Sequence, residues 1–188
     1  MKIESAKFFR GVKGSDKALE DGIPQFAFIG RSNAGKSSVI NCLTKNKGLA
    51  RTSSFPGFTR QINLFLINDS LYFVDLPGYG YAKISASERQ KIQEMVKWYF
   101  FRSGIVQRKI FLIIDADVGL TKDDLSVLRT FEEVEKNVVI IANKIDKIRK
   151  SDYEEKIATI NELSWPHKVI LFSAKDKIGI EDFLNELN

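Results

Sequence analysis

The sequence predicts an α/β sandwich: helices packed on both faces of a mostly parallel sheet. Three observations carry that reading. Short apolar runs alternate with amphipathic stretches, and the connections between them are brief. The runs 109–115 and 137–142 are rich in β-branched residues and apolar almost throughout, as strands covered on both faces are. Strand–helix alternation of this kind places parallel strands under crossover helices.

Each element has a local reason. Ile3 to Phe9 is a candidate edge strand within an extension over residues 1–21, and Gln25 to Ile29 is a buried strand ending at Gly30. A helix follows from about Ser37, through Ser38 and Val39 to Leu43. Ile62 to Ile67 and Leu71 to Val74 are two strands joined by Asn68-Asp69-Ser70, residues that favour tight turns because their side chains bond nearby backbone. Ser85-x-x-Glu88, Thr121-x-x-Asp124 and Ser151-x-x-Glu154 each fit the pattern of a helix start, in which a hydroxyl and a carboxylate satisfy free N–H groups reciprocally. The first opens a segment with helical spacing at Ile92, Met95, Val96 and Tyr99. Lys109 to Asp115, Asn137 to Ala142 and Lys168 to Phe172 complete the strands, with Pro166 and Gly179 as punctuation late in the chain.

Composition narrows the class. The chain has 188 residues, 44% of them hydrophobic, and a domain of this size removes roughly 70% of its surface from water on folding. One domain over residues 1–188 therefore needs no staple, and the single Cys42 excludes an internal disulfide. No apolar run approaches the ~18 residues of a membrane span. Met1-Lys2-Ile3-Glu4-Ser5 lacks the apolar centre of a secretion signal, so a cytoplasmic, monomeric protein with no membrane partner is expected. The balance of 29 Lys+Arg against 24 Asp+Glu, net +5, permits a nucleic-acid partner without requiring one.

Gly30-Arg31-Ser32-Asn33-Ala34-Gly35-Lys36-Ser37 follows a strand and precedes a helix. Glycines at its first and sixth positions admit backbone angles that turn successive N–H groups inward around a polyphosphate. The helix adds its positive end, Lys36 neutralises the outer phosphates, and the Ser37 hydroxyl is a ligand for Mg²⁺. Such a site needs a carboxylate at the end of a neighbouring strand. Asp75 supplies it, followed by Leu76-Pro77-Gly78; Gly78 offers an N–H that approaches a γ-phosphate unobstructed. The polar stretch Arg51 to Arg60 holds Thr52 and Thr59, two candidates for a hydroxyl on Mg²⁺ in a segment released when the γ-phosphate is lost.

Asn143-Lys144-Ile145-Asp146 follows a strand and points to guanine. Guanine presents an N1–H and an N2–H₂ side by side, and one carboxylate accepts both. Adenine would leave Asp146 a desolvated, unpaired charge, and sites built on such bonds reject analogues by ~10⁴–10⁵. The stem of Lys144 can lie along the base, and Asn143 can brace the loop. Ser173-Ala174-Lys175 follows the last strand, where a backbone N–H can meet the guanine O6. An ATP-dependent kinase leaves Asp146 unexplained.

These motifs resemble the EngB (YihA/YsxC) family of GTP-binding proteins. The resemblance rests on Gly30-Arg31-Ser32-Asn33-Ala34-Gly35-Lys36-Ser37-Ser38, on Arg51-Thr52-Ser53-Ser54-Phe55-Pro56-Gly57-Phe58-Thr59, and on Asp75-Leu76-Pro77-Gly78-Tyr79-Gly80-Tyr81-Ala82-Lys83, and it spans essentially the whole chain. It implies a P-loop GTPase fold with a six-stranded, mostly parallel sheet between helical layers, and GTP or GDP as ligand. It implies Mg²⁺ through Ser37 and Thr59, Thr59 being preferred over Thr52 by its place in Pro-Gly-x-Thr. It implies association with the large ribosomal subunit, its RNA and proteins, during assembly, and a link to cell division and septation. The nucleotide set it marks adds Gly57, Phe58, Thr59, Arg60 and Gln61, then Asp75, Leu76, Pro77 and Gly78, then Asn143, Lys144, Ile145 and Asp146, and finally Phe172, Ser173 and Ala174. Two positions depart from the family's usual pattern: Asn143 stands where Thr is frequent, which restores the general guanine-specific form, and Phe58 stands where Lys is frequent.

Turnover is expected to be slow. Ras-like proteins place a water-orienting Gln directly after the Asp-x-x-Gly glycine; here Tyr79 stands there, and a phenol lacks the carboxamide's paired donor and acceptor. In related G proteins without the Gln, an Asn at the position of Asn33 helps hold K⁺ beside the phosphates. Asn33 therefore joins Lys36 and Thr59 as a catalytic candidate, with simple bracing of the loop as the alternative. A non-enzymatic module in which guanine nucleotide gates RNA or ribosome docking is the alternative function. His167, the single histidine, has no partner constellation. Cys42 suits a small core residue, and Trp98-Tyr99-Phe100-Phe101 suits core packing rather than base stacking. Lys144, Lys147, Arg149 and Lys150 suit a solvated face, and Arg51, Arg60 and Lys83 suit either that or a nucleotide-dependent RNA contact.

Overall fold

The computed structural model describes residues 1–51, 61–80 and 85–188. Among these, seven strands form one sheet: β1 (Ala6–Val12), β2 (Gln25–Gly30), β3 (Ile62–Ile67), β4 (Leu71–Asp75), β5 (Gln107–Asp115), β6 (Val138–Asn143) and β7 (Lys168–Phe172). Their order is β1-β3-β4-β2-β5-β6-β7. β4, β2, β5, β6 and β7 run parallel, while β3 is antiparallel to both β4 and β1.

The sheet thus has seven strands where six are implied by the resemblance, because the N-terminal segment joins it. That strand begins at Ala6 rather than Ile3. Residues just before it are held by a side chain instead of a ladder: Asn68 accepts from the N–H groups of Glu4 (2.8 Å) and Ser5 (3.0 Å) and donates to the Lys2 carbonyl (2.7 Å). Asn68 and Asp69 both adopt positive φ, 49° and 50°, the conformation of the tightest hairpin turns.

Among the described residues five α-helices cover the two faces: α1 (Lys36–Leu43), α2 (Ala86–Lys97), α3 (Lys122–Glu132), α4 (Tyr153–Ser164) and α5 (Ile180–Asn185). Side-chain alternation along β2 explains the layering. Ala27 and Ile29 face Met95, Leu128, Phe131 and Ile160 of α2, α3 and α4. Phe26 and Phe28 face Val39, Ile40 and Leu43 of α1 and Phe183 of α5. Phe183 packs with its ring tilted by 37° against Phe111, the centroids 4.2 Å apart, which docks the short α5.

Two expected helix starts hold and one does not. Ser85 accepts from the N–H of Glu88, and Thr121 and Asp124 bond each other's backbone N–H reciprocally. Ser151 caps nothing. It lies inside a 3₁₀ turn, Lys150–Asp152, and its hydroxyl bonds Asp152, so α4 starts at Tyr153. Gly179 precedes α5 directly, opening a helix. After α2 the chain continues as a π-helical turn, Trp98–Arg102. Tyr99 and Phe100 are buried there as core residues, while Phe101 is 40% exposed. The wider turn rotates Phe101 outward, so only part of that aromatic run is core.

Candidate nucleotide-binding site

The carboxyl ends of β2, β4, β5, β6 and β7 lie along one edge of the sheet, where ligands of open α/β folds bind. Register brings the sequence motifs together there: Phe28 pairs with Asp75, and Asp115 with Asn143, which pairs in turn with Phe172.

The phosphate loop leaves β2 at Gly30 and enters α1 at Lys36. Gly35 precedes the helix with φ 94°, and a Cβ there would stand 2.3 Å from Asn143 Nδ2, so both conformation and space demand glycine. Asn33 also has positive φ, 69°, a region that Asn tolerates. Its side chain forms no hydrogen bond among the described residues; the loop is braced instead through its carbonyl, which accepts from Lys144 Nζ at 2.5 Å.

Lys36 Nζ donates to Asp75 Oδ1 in a close ion pair. Both are buried, Asp75 to 2% and Lys36 to 8% exposure. Neither side chain has a further hydrogen-bond partner among the described residues, and a buried pair of that kind is a poor stability device. The same two groups are what Mg²⁺ and the outer phosphates of a nucleotide would separate and satisfy. The Ser32 hydroxyl is buried with no hydrogen-bond partner, an orphan inside a loop built to take polar ligand atoms. Among the described residues no three His, Cys, Asp or Glu side chains cluster as a metal cage. Mg²⁺ habitually takes one or two protein oxygens plus phosphate oxygens. The half-buried Ser37 and the carboxylate of Asp75 are the described residues that can hold it. Thr52, Thr59, Gly57, Phe58, Arg60 and Lys83 lie outside the described residues, and Gln61 donates to Asn63 Oδ1 at 3.0 Å.

Gly78 approaches the phosphate loop so closely that a Cβ would lie 2.8 Å from the Gly30 carbonyl oxygen. Beyond it Tyr79 pairs with Arg31: Ser32 N–H donates to the Tyr79 carbonyl at 2.9 Å, and Tyr79 N–H to the Gly30 carbonyl at 3.3 Å. The Tyr79 phenol donates to Asp124 Oδ1 at 2.6 Å. Burial pushes the phenol's pKa up, and the Asp124 charge and hydrogen bond push it further, so it stays protonated.

The base side is braced across the chain. Asn143, 1% exposed, donates to the Ala34 carbonyl at 2.9 Å and accepts from Ala174 N–H at 3.3 Å. One amide thus ties the phosphate loop to both base loops. Asp146 Oδ1 accepts from the Ser173 hydroxyl at 2.7 Å, and its other oxygen is 3.8 Å from Lys175 Nζ. Lys144 is not a solvated cation: besides Asn33 it binds Asp115 Oδ2 at 2.8 Å. Asp115 and Asp124 are contributors that motif reading does not single out. Asp115 ends β5 level with Asn143, a register position that marks it; Asp124 carries no signal beyond its capping pattern. Lys147, Arg149 and Lys150 are exposed. A hydrogen bond from Lys156 is the main cause that lowers the Asp117 pKa, with Lys147 and Arg149 adding to it. His167 pairs with Glu132 at 2.8 Å, away from this edge. Cys42 is half-buried against the aromatic core, and burial pushes its thiol up.

Comparison with known proteins gives the family. A family model described as 50S ribosome-binding GTPase matches residues 25–144. The chain is 38% identical over 190 residues to the probable GTP-binding protein EngB of Clostridium perfringens strain 13, covering 100% of this chain and 96% of that protein. It is 40% identical over 190 residues to the probable GTP-binding protein EngB of Clostridioides difficile strain 630, covering 100% and 93%. Among solved structures, a probable GTP-binding protein EngB superposes with TM-score 0.71 at 24% identity, over 87% of this chain and 96% of that one. Era in complex with MgGDPNP and a segment of 16S ribosomal RNA superposes with TM-score 0.70 at 23% identity, over 87% and 55%. These two share the fold. The full-length identity to curated relatives places the chain in the EngB family of GTP-binding proteins, P-loop GTPases that hydrolyse GTP.

Proposed function

We propose that this GTPase is a nucleotide switch acting in assembly of the large ribosomal subunit, and through it in normal division and septation. The observation that carries the reading is full-length identity to EngB proteins, joined to a family described by binding to the 50S particle. The positive balance of +5 suits a surface that meets RNA,.

In this reading Gly30, Arg31, Ser32, Asn33, Ala34, Gly35, Lys36, Ser37 and Ser38 bind the phosphates. Ser37 and Thr59 would hold Mg²⁺, with the Asp75 carboxylate beside it. Asp146 takes the guanine edge, Ala174 N–H its O6, and Lys144 its face. When bound, Mg²⁺ supplies positive charge to the outer phosphates. Lys36 leaves Asp75 to bind phosphate, and Gly78 reports the γ-phosphate through its N–H. Intrinsic hydrolysis is slow because the Tyr79 hydroxyl is committed to Asp124 and leaves no carboxamide to orient water. K⁺ held by the Asn33 side chain would add charge stabilisation as an arginine finger does.

Single-turnover GTP hydrolysis with and without 50S precursor particles tests the proposal, with co-sedimentation in the GTP-analogue and GDP states. Stimulation together with GTP-dependent sedimentation is expected. Binding without stimulation would replace the switch by a guanine-nucleotide-gated docking module, and neither would refute both.

A further inference from the structure

The Asp-x-x-Gly segment is held in place by an unusual strut. Gly78 must stay against the phosphate loop to report a γ-phosphate; Leu76 before it is buried in the core, and the Tyr79 ring after it packs on the same core. On its α2 side lies a cavity of about 680 Å³, lined by Gly78, Tyr79 and Gly80 opposite Ile92, Val96 and Phe100. Beyond that packing, the contacts that fix Tyr79 are polar. Two backbone hydrogen bonds join Tyr79 to Gly30 and Ser32, and the phenol reaches Asp124 at 2.6 Å.

Asp124 is itself immobilised. It is 1% exposed, and its other oxygen accepts from Thr121 N–H at 2.9 Å and Thr121 Oγ1 at 2.6 Å in the N-terminal cap of α3. A buried carboxylate with three donors is a rigid anchor. The chain from Asp124 through the Tyr79 ring to the Tyr79 backbone therefore sets where Gly78 stands over the loop.

We propose that Tyr79 is a positioning residue for GTP hydrolysis: its hydroxyl, anchored on Asp124, fixes Gly78 for contact with the γ-phosphate, so the strut raises affinity for GTP relative to GDP. It rests on the guanine-nucleotide reading of the site. GDP has no γ-phosphate for Gly78 to meet, so loss of the strut weakens GTP binding selectively. The same loss slows hydrolysis, because the donor meant for the outer phosphate wanders.

The test is Tyr79→Phe, which removes one oxygen and keeps the ring. Affinities for GDP and a non-hydrolysable GTP analogue are measured by nucleotide fluorescence with Mg²⁺, alongside single-turnover hydrolysis. GTP-analogue affinity should fall about tenfold, the scale of one hydrogen bond to a charged group, with GDP affinity within about twofold. Thr121→Ala removes the hydroxyl partner but keeps the Thr121 N–H bond to Asp124 and the phenol–carboxylate bond, so the anchor stays in place and the variant should lower thermal stability without changing the ratio of the two affinities. A double cycle of Tyr79→Phe and Asp124→Asn should be non-additive in that ratio. Equal shifts in both affinities, no shift in either, or an additive cycle would overturn the strut. Wild type that fails to prefer GDP over ADP in the same titration would instead overturn the guanine-nucleotide reading.

Discussion

Replacing Asp146 by Asn tests the chemistry on which guanine selection depends. Asp146 stands on the 3₁₀ turn Ile145–Lys147, its side chain 8% exposed. The Ser173 hydroxyl already occupies one lone pair of Oδ1 at 2.7 Å, so an amide oxygen will keep that position and its nitrogen will face the purine edge. Two charge-assisted bonds, to the guanine N1–H and N2–H₂, are then weakened or lost. At about 1.5–3 kcal/mol each they sum to about 3–6 kcal/mol, a loss of about 10²–10⁴-fold in GDP affinity. Xanthine carries a carbonyl where guanine carries the amine, and the new N–H₂ donates to it. Calorimetric titration of Asp146→Asn with GDP and xanthosine diphosphate should show that reversal. Nucleotide-free thermal stability should change little, because the pair with Lys175 is loose at 3.8 Å and that lysine is 77% exposed,. A variant that binds GDP within threefold of wild type, or shows no gain for xanthosine diphosphate, refutes the assignment.

Asn143→Ala orphans the buried Ala34 carbonyl and the part-buried Ala174 N–H, at about 1–3 kcal/mol for the buried group alone; at about 2–4 °C per kcal/mol the melting temperature should drop by at least about 2 °C. A shift under about 2 °C in differential scanning fluorimetry would contradict the brace. Burial raises the Glu186 carboxyl pKa, but hydrogen bonds and charge from Lys109 and Lys168 outweigh it, and the net shift is down. The carboxylate therefore stabilises the fold above the unfolded value of roughly 4.3, and the contribution disappears as pH falls through the lower folded value. Urea midpoints of wild type and Glu186→Gln should differ at neutral pH and converge in acid; a gap independent of pH would show that the carboxylate charge is not involved.

The parts of the site that were readable along the chain are those whose chemistry is contiguous. Eight successive residues from Gly30 to Ser37 carry the demands of a phosphate loop, and Asn143 to Asp146 carry those of a guanine edge, because backbone N–H groups and adjacent side chains meet one ligand together. The parallel core strands were legible for a similar reason, since burial on both faces leaves an apolar run. The capping of α3 by Thr121 and Asp124 was legible within four residues, whereas Ser151 misled because a 3₁₀ turn competes for the same local pattern.

Tertiary structure alone decided the contacts between distant segments. Nothing in the order of residues pairs Tyr79 with Asp124, Lys144 with Asp115, or Asn143 with the Ala34 carbonyl. Nor does it show that Asn68 would hold the N-terminal residues and let β1 extend the sheet from Ala6. Side-chain type, spacing and local propensity determined which ligand this chain is built to hold. Which polar groups brace one another depended on the sheet register, because a hydrogen bond requires its atoms within about 3 Å, and only the folded sheet brings residues so far apart in sequence to that distance.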